Sequence, residues 1–78
     1  MKILKLLFQY GQMHTSAIAR KLRANYEFTL EHLELLEVEG IVQHRRSGQV
    51  RFFRFANSPK AHATMRLLES WEQNLLDQ

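Results

Sequence analysis

The side chains best suited to chemistry in this chain are positively charged and form two short clusters. Residues 43–54 contain four arginines and no acid. Those nearest a predicted hairpin turn are Arg45, Arg46 and Arg51. The second cluster, which also lacks an acid, consists of Arg20, Lys21 and Arg23. Guanidinium and ammonium groups grouped in this way neutralise a polyanion and donate hydrogen bonds to its oxygens. Both clusters therefore predict contact with phosphate.

The segment between the two clusters is acidic. It carries no lysine or arginine over residues 27–39, and its acids are Glu27, Glu31, Glu34, Glu37 and Glu39. Carboxylates near phosphates repel them, so two interpretations stand. Either these side chains point away from the bound polyanion, or this segment meets a basic protein partner. A solvated acidic face is the interpretation from Glu34 onward, while the roles of Glu27 and Glu31 stay open.

Residues able to support catalysis or bind a metal are few. The four histidines, at positions 14, 32, 44 and 62, lack the paired spacing of a zinc site, and there is no cysteine. The three glycines are isolated, so no phosphate-binding loop of the glycine-rich kind is present. Ser58 precedes Pro59 and is better used as a helix cap than as a nucleophile. We therefore expect a protein that is not an enzyme and that has no metal or cofactor.

Hydrophobic spacing and turn residues predict a mainly α-helical α+β domain. The predicted order is H-H-H-β-β-H with a long C-terminal helix. Its elements are a first helix that ends at Gly11, a second helix capped by Thr15 or Ser16, a third helix over about residues 26–39, strands over 41–46 and 49–55 joined by a turn at Ser47-Gly48, and a last helix capped by Ser58. We expect the third helix to be well buried, because apolar residues recur along most of its length.

The chain length of 78 residues predicts one domain over residues 1–78 with a thin core. We expect residues 1–57 to form its core and hairpin and residues 58–78 to form a helix that joins two copies. The absence of cysteine suits a reducing cytoplasm. No apolar run approaches the length that spans a bilayer, so we expect no membrane association.

The last helix carries an apolar stripe that outruns the needs of a small core. Its members follow at spacings of three, three and four residues: Met65, Leu68, Trp71 and Leu75. A stripe of this length left in solvent would be a large apolar patch, and pairing with a second copy would bury it. Packing on the first helix of the same chain is the alternative, and both can hold together. We expect a homodimer with Trp71 as its central contact.

Several segments resemble known motifs. Residues 17–22 (AIARKL) resemble the ELAxxL second helix of bacterial and archaeal winged-helix repressors, and residues 32–42 (HLELLEVEGIV) are similar to their HLxxLxxxGLV stretch. Residues 53–61 (FRFANSPKA) resemble the YxLTxxG exit from the wing, with Ala61 in place of the glycine. Residues 22–28 (LRANYEF) resemble the LxxN(Y/L)x(Y/F) entry to the third helix of small archaeal winged-helix proteins. In order and spacing, the chain resembles the ArsR/MarR-like winged helix-turn-helix superfamily, in the small archaeal form that dimerises through a C-terminal helix.

This resemblance implies a homodimeric transcriptional regulator that binds duplex DNA. The start of the third helix would enter the major groove, so the residues expected to probe bases are Asn25, Tyr26 and Thr29. The wing arginines would contact backbone or minor groove, and the cluster at 20–23 would hold phosphates. Two alternatives remain: a protein-interaction module that uses the acidic third helix, and RNA binding through the wing aromatics Phe52 and Phe53.

Overall fold

The computed structural model describes residues 2–76, with side chains up to residue 71. Its elements are α1 (Lys2–Tyr10), β1 (Gln12–His14), α2 (Thr15–Leu22), α3 (Tyr26–Val38), β2 (Val42–Ser47), β3 (Val50–Phe55) and α4 (Pro59–Leu76). The expected α+β class and the order of four helices and a hairpin are confirmed, and one strand is added. Within the described part of the chain, no helix is long and apolar enough to cross a membrane.

The added strand, β1, completes a three-stranded antiparallel sheet in the order β1-β3-β2. From sequence, Gln12 to His14 are interpreted as a short connector with at most one strand residue pair, because three residues are too few for alternation to be recognised. In the structure, Met13 lies opposite Phe53 in the neighbouring strand. This pairing places β3 in the centre of the sheet, with both of its edges covered.

The core lies between the helices and one face of this sheet. Its buried members are Leu4, Leu7, Met13, Ile18, Leu33, Val42, Phe53 and Leu68. Every element therefore contributes a side chain. A core this small closes only when all elements are in place, so the elements that carry charge are fixed relative to one another.

The expectation that α3 is well buried is wrong. Only Thr29 and Leu33 are buried along it. Four large apolar side chains on this helix are exposed: Tyr26, Phe28, Leu35 and Val38. The cause is geometric, because a single small core covers one face of a helix, and apolar residues placed all around it leave the others uncovered.

The starts of the helices differ in how they are capped. The Asn25 side chain accepts a hydrogen bond from the Phe28 amide at 3.2 Å and so caps α3. The prediction that Thr15 or Ser16 caps α2 is wrong, because the capping position is occupied by His14, which makes no side-chain cap bond. Thr15 is instead buried in the first turn of α2, where its hydroxyl has no hydrogen-bond partner among the described residues.

The cap of α4 also ties two elements together. The Ser58 hydroxyl accepts from the Ala61 amide at 3.0 Å, as predicted, and donates to the Gly40 carbonyl at 2.6 Å. Gly40 follows α3 and Ser58 precedes α4. This one side chain therefore holds the start of the last helix against the end of the third.

Candidate nucleic-acid interface

The turn between α2 and α3 is fixed by backbone hydrogen bonds. The Ala24 amide donates to the Ala19 carbonyl at 2.9 Å, and this bond between residues five apart is the wider of the two that define a Schellman-type helix end. Such an end needs a residue in the left-handed region, and Arg23 supplies it with φ of 54°. Glycine usually occupies this position because it has no Cβ penalty. An arginine held there is a candidate functional residue.

The basic cluster at this turn lies at the surface. Arg20, Lys21 and Arg23 are all exposed. The Lys21 ammonium lies 5.0 Å from the centre of the Tyr10 ring, a cation–π contact that restrains its side chain. Arg20 and Arg23 make no ion pair with any described residue. Two guanidinium groups are thus available just before the start of α3.

The residues expected to probe bases at the start of α3 do not all point outward. Tyr26 is exposed, and Asn25 is exposed although its side-chain oxygen is used by the cap. Thr29 is only 1% exposed, and its hydroxyl donates to the Asn25 carbonyl at 2.9 Å. A side chain in that position cannot reach a base edge, so the prediction for Thr29 is wrong. A polar side chain on a helix usually faces solvent, whereas this hydroxyl is satisfied by the backbone of the preceding turn and the methyl group can be buried.

The left-handed backbone at Arg23, just before α3, allows a test of this residue. Replacing Arg23 with glycine relieves the left-handed strain, so we expect the free energy of unfolding to rise by about 0.5–1 kcal/mol. The same change removes a charge from the exposed turn that is predicted to contact phosphate, so we expect duplex DNA affinity to fall. Urea unfolding and fluorescence anisotropy measure the two effects. A variant that is stabilised and binds DNA as tightly as the parent would remove Arg23 from the interface.

The hairpin of β2 and β3, called the wing from here, turns through Gly48-Gln49. Ser47 pairs with Val50, so the turn is one residue later than predicted. Gly48 has φ of 63°, which suits the first central position of a type II′ turn. The wing arginines are therefore carried on a tight, regular hairpin.

The two faces of the wing each carry arginines. Arg46 lies opposite Arg51 on the face turned toward the helices, whereas Arg45 lies opposite Phe52 on the other face. The Arg51 guanidinium is 3.5 Å from the Glu34 carboxylate of α3. This contact turns the inner face of the wing toward α3. Arg45, Arg46 and Arg51 are therefore not one cluster as predicted from sequence, although strand alternation contains the signal for this division.

The glutamates at the C-terminal half of α3 are paired rather than simply solvated. The Glu37 carboxylate lies 2.8 Å from His44 Nδ1 and accepts from the His44 backbone amide at 3.0 Å. Glu39 lies 2.9 Å from the Lys60 ammonium. The solvated-face interpretation is corrected for Glu37, whose side chain is 32% exposed and joins α3 to the wing, whereas the side chains of Glu34 and Glu39 remain mostly exposed, at 55% and 61%. Sequence reasoning missed the contacts because they join residues from different elements.

The remaining outward surface of α3 is unusual for a helix that contacts phosphates. Glu27 and Glu31 are exposed near its start. Leu35 and Val38 follow on the same side, and Val38 is 84% exposed. No lysine or arginine lies on this helix. Positive charge is therefore supplied at its two flanks and not from α3 itself.

The apolar stripe of α4 divides between the core and the surface. Leu68 is 8% exposed and belongs to the core of its own chain, so the prediction that it is an interchain contact is corrected. Met65 is half-buried, and Trp71 is 54% exposed under the Lys5 ammonium, which lies 5.2 Å from the ring centre. The side chain of Leu75 lies outside the described residues. Leu67 is not among the interface residues predicted from sequence, yet this residue is 66% exposed.

A groove joins this part of α4 to α1. Its volume is about 290 Å³, and its lining residues are Leu4, Lys5, Ile41, Thr64, Leu67, Leu68 and Trp71. The lining is apolar apart from Lys5 and Thr64. The groove and its two exposed lining side chains, Leu67 and Trp71, form one surface, called the α4 face from here. Among the described residues, no group of three or more metal-binding side chains is present.

Comparison with known proteins finds the same architecture in solved structures. A homodimeric winged helix-turn-helix DNA-binding domain from Mycobacterium bovis, described as a possible ArsR-family transcriptional regulator, is 28% identical, with a TM-score of 0.77 over 97% of this chain and 68% of that one. HlyU from Vibrio cholerae is 23% identical, with a TM-score of 0.75 over 88% and 73%. The transcriptional repressor PagR of Bacillus anthracis is 21% identical, with a TM-score of 0.70 over 86% and 75%.

No family model matches the chain, and neither does any curated protein sequence. The structural likenesses confirm the winged helix-turn-helix fold, in which α2 and α3 form the helix-turn-helix. The similar proteins include transcriptional regulators, and one of them is a homodimer. These neighbours come from bacteria, so the archaeal form remains a prediction.

Proposed function

We propose that this chain is a non-enzymatic transcriptional regulator that binds duplex DNA as a homodimer. The observation that carries the proposal is the position of positive charge on both flanks of α3. Arg20 and Arg23 precede the start of the helix, and the Glu34–Arg51 contact turns the inner face of the wing toward its middle. Tyr26 and Glu34 are about 12 Å apart along the helix axis, so the two basic groups are separated by about the width of the major groove.

In this proposal, phosphate contacts supply most of the affinity. Arg20, Lys21 and Arg23 contact the backbone at the N-terminal end of α3, where the free amide groups also favour anions. Arg46 contacts it from the inner face of the wing. Arg45 points to the outer face and reaches the duplex only from beside the wing tip, whereas Arg51 must share its guanidinium with Glu34.

Base recognition falls to few side chains. Tyr26 and the amide nitrogen of Asn25 are the outward polar groups at the start of α3. Glu27 is exposed beside them and can accept a hydrogen bond from the amino group of cytosine. Selection of bound duplexes from a random pool tests this function. Enrichment of two half-sites about 34 Å apart supports a dimeric regulator, while a pool that remains random contradicts it.

The dimer is proposed to form through the α4 face. Leu67 and Trp71 are large apolar residues that are 66% and 54% exposed in the single chain. The groove that they line with α1 is mostly apolar. Exposed apolar surface of this kind marks an interaction site. The homodimeric state described for the Mycobacterium bovis domain supports a second copy as the partner.

The combined change of Leu67→Glu and Trp71→Glu tests this dimer. Burying two carboxylates in an apolar interface is strongly unfavourable, so we expect the dimer dissociation constant to rise by at least about 100-fold. Sedimentation would then give the mass of one chain, 9.3 kDa. The matched control is Ser70→Glu, which places the charge at an exposed position elsewhere on α4 and should leave the dimer intact. A parent protein that sediments as a monomer at micromolar concentration would contradict the proposal.

A second candidate function is a protein-interaction module, and the outward surface of α3 favours it. That surface combines Leu35 and Val38 with two glutamates, and an apolar hollow of about 330 Å³ lies between α1, α2 and α3 beside Phe28. A partner with an apolar surface and a basic rim would be complementary. This alternative expects weak duplex binding without sequence preference, and it fails if the pool selection returns a defined site.

A further inference from the structure

The outer face of the sheet, the side turned away from the core, carries a set of side chains that duplex binding leaves largely unused. Cross-strand partners share a face, so the register defines two rows. The first row consists of Gln12, Arg54 and Gln43, and the second of His14, Phe52 and Arg45. The next residue in β3, Phe53, points to the core face of the sheet and is fully buried. Phe53 therefore cannot take part in the RNA contact considered from sequence, whereas Phe52 is partly accessible.

The two rows place one aromatic ring between two guanidinium groups. Arg45 lies directly across from Phe52, and Arg54 follows two residues later on the same strand face. Both arginines are exposed. The His14 and Phe52 rings have their centres 5.7 Å apart at an angle of 57°, so the histidine supports one edge of the phenyl ring.

The neighbouring amide restrains Arg54. With the Gln43 amide oriented so that its oxygen faces the guanidinium, it accepts from Nη2 at 2.9 Å and from Nε at 3.0 Å. A shallow hollow of about 160 Å³ lies here, and its lining residues are Gln12, Gln43, His44, Arg45, Phe52 and Arg54. No carboxylate is among them. The hollow is smaller than a site for a drug-sized ligand and is of the size of one planar ring system.

An aromatic platform flanked by guanidinium groups and amides is suited to a nucleobase with adjoining phosphates. In a duplex the bases are stacked on one another, so their faces are not available to Phe52. We propose that the outer face of the sheet binds single-stranded nucleic acid, with an unpaired base stacked on Phe52 and the flanking phosphates on Arg45 and Arg54. This site lies on the opposite side of the sheet from the core, and Phe52 and Arg54 have no role in the proposed duplex interface.

The test compares a labelled 12-nucleotide oligodeoxythymidine with a blunt 20-base-pair duplex by fluorescence anisotropy. We expect Phe52→Leu to weaken single-strand binding about tenfold, because stacking of a base on an aromatic ring is lost. Duplex binding should change less than twofold. The matched control Val50→Ala alters an exposed apolar residue on the same face of β3 and should leave both affinities unchanged.

A second variant keeps the test independent of folding defects at Phe52. Arg54→Gln removes an exposed charge, and it should weaken single-strand binding and lower its salt slope by about 0.7. The proposal is overturned if neither variant weakens single-strand binding, or if both weaken duplex binding to the same extent. Competition by thymidine monophosphate at the nucleotide concentration of the strand would also overturn it, because the site would then bind free nucleotides.

Discussion

Replacing Phe53 with alanine is expected to unfold the domain under conditions in which the parent is folded. Phe53 is fully buried at the centre of the middle strand, and its ring centre lies 5.4 Å from that of His44. Truncation of a buried phenylalanine costs about 3–5 kcal/mol, whereas a chain of this size has a total stability of about 4–12 kcal/mol. The variant would therefore lose a large share of its stability and unfold at a much lower urea concentration than the parent.

Urea unfolding followed by circular dichroism measures this effect. The matched control is Phe52→Ala, which truncates the adjacent aromatic residue on the outer face of the sheet. Phe52 is only partly buried, so we expect a loss of about 1–2 kcal/mol. Equal losses in the two variants would contradict the assignment of β3 faces.

The second large effect is expected from the combined change of Arg45→Ala and Arg46→Ala in the wing. A dimer would lose four guanidinium groups, and each phosphate contact removed lowers the salt slope for duplex DNA by about 0.9. Charges at the protein surface are only partly screened at about 0.1 M salt. Under these conditions we expect the affinity for duplex DNA to fall by about 10- to 100-fold. Fluorescence anisotropy at several salt concentrations provides both quantities.

Two comparison variants separate contact from overall charge. The change of Arg45→Lys with Arg46→Lys keeps the charge and should retain most of the salt slope. The change of Lys2→Ala with Arg66→Ala removes the same charge from exposed positions outside the wing, and it should have a much smaller effect. An unchanged affinity in the alanine pair of the wing would remove the wing from the proposed interface.

The sequence predicts the order of elements well because local signals mark their ends. Gly11, Gly48 and the Ser58-Pro59 pair each have a strong conformational preference, and the structure uses all of them at turns or helix ends. The sequence does not establish β1 as a strand of the sheet, because its three residues form a strand only through pairing with β3. Tertiary pairing of this kind leaves almost no local pattern.

Side-chain direction in the candidate site was harder to predict. Thr29 is polar but buried, while Val38 is apolar but exposed, since helix spacing identifies a face only when one face is clearly apolar. The contacts of Glu34 and Glu37 with the wing join residues that are apart in the chain. By contrast, the position of Arg46 and Arg45 on opposite faces follows directly from strand alternation once the register is known.

The most direct test of the account is the binding of the unmodified protein to duplex DNA over a series of salt concentrations. A dimer that contacts phosphates through both helix-turn-helix ends and both wings should give a steep fall of log affinity against log salt, with a slope of about −4 or steeper. Flat salt dependence, or no duplex binding even at low salt, would contradict the claim that the charges flanking α3 face DNA.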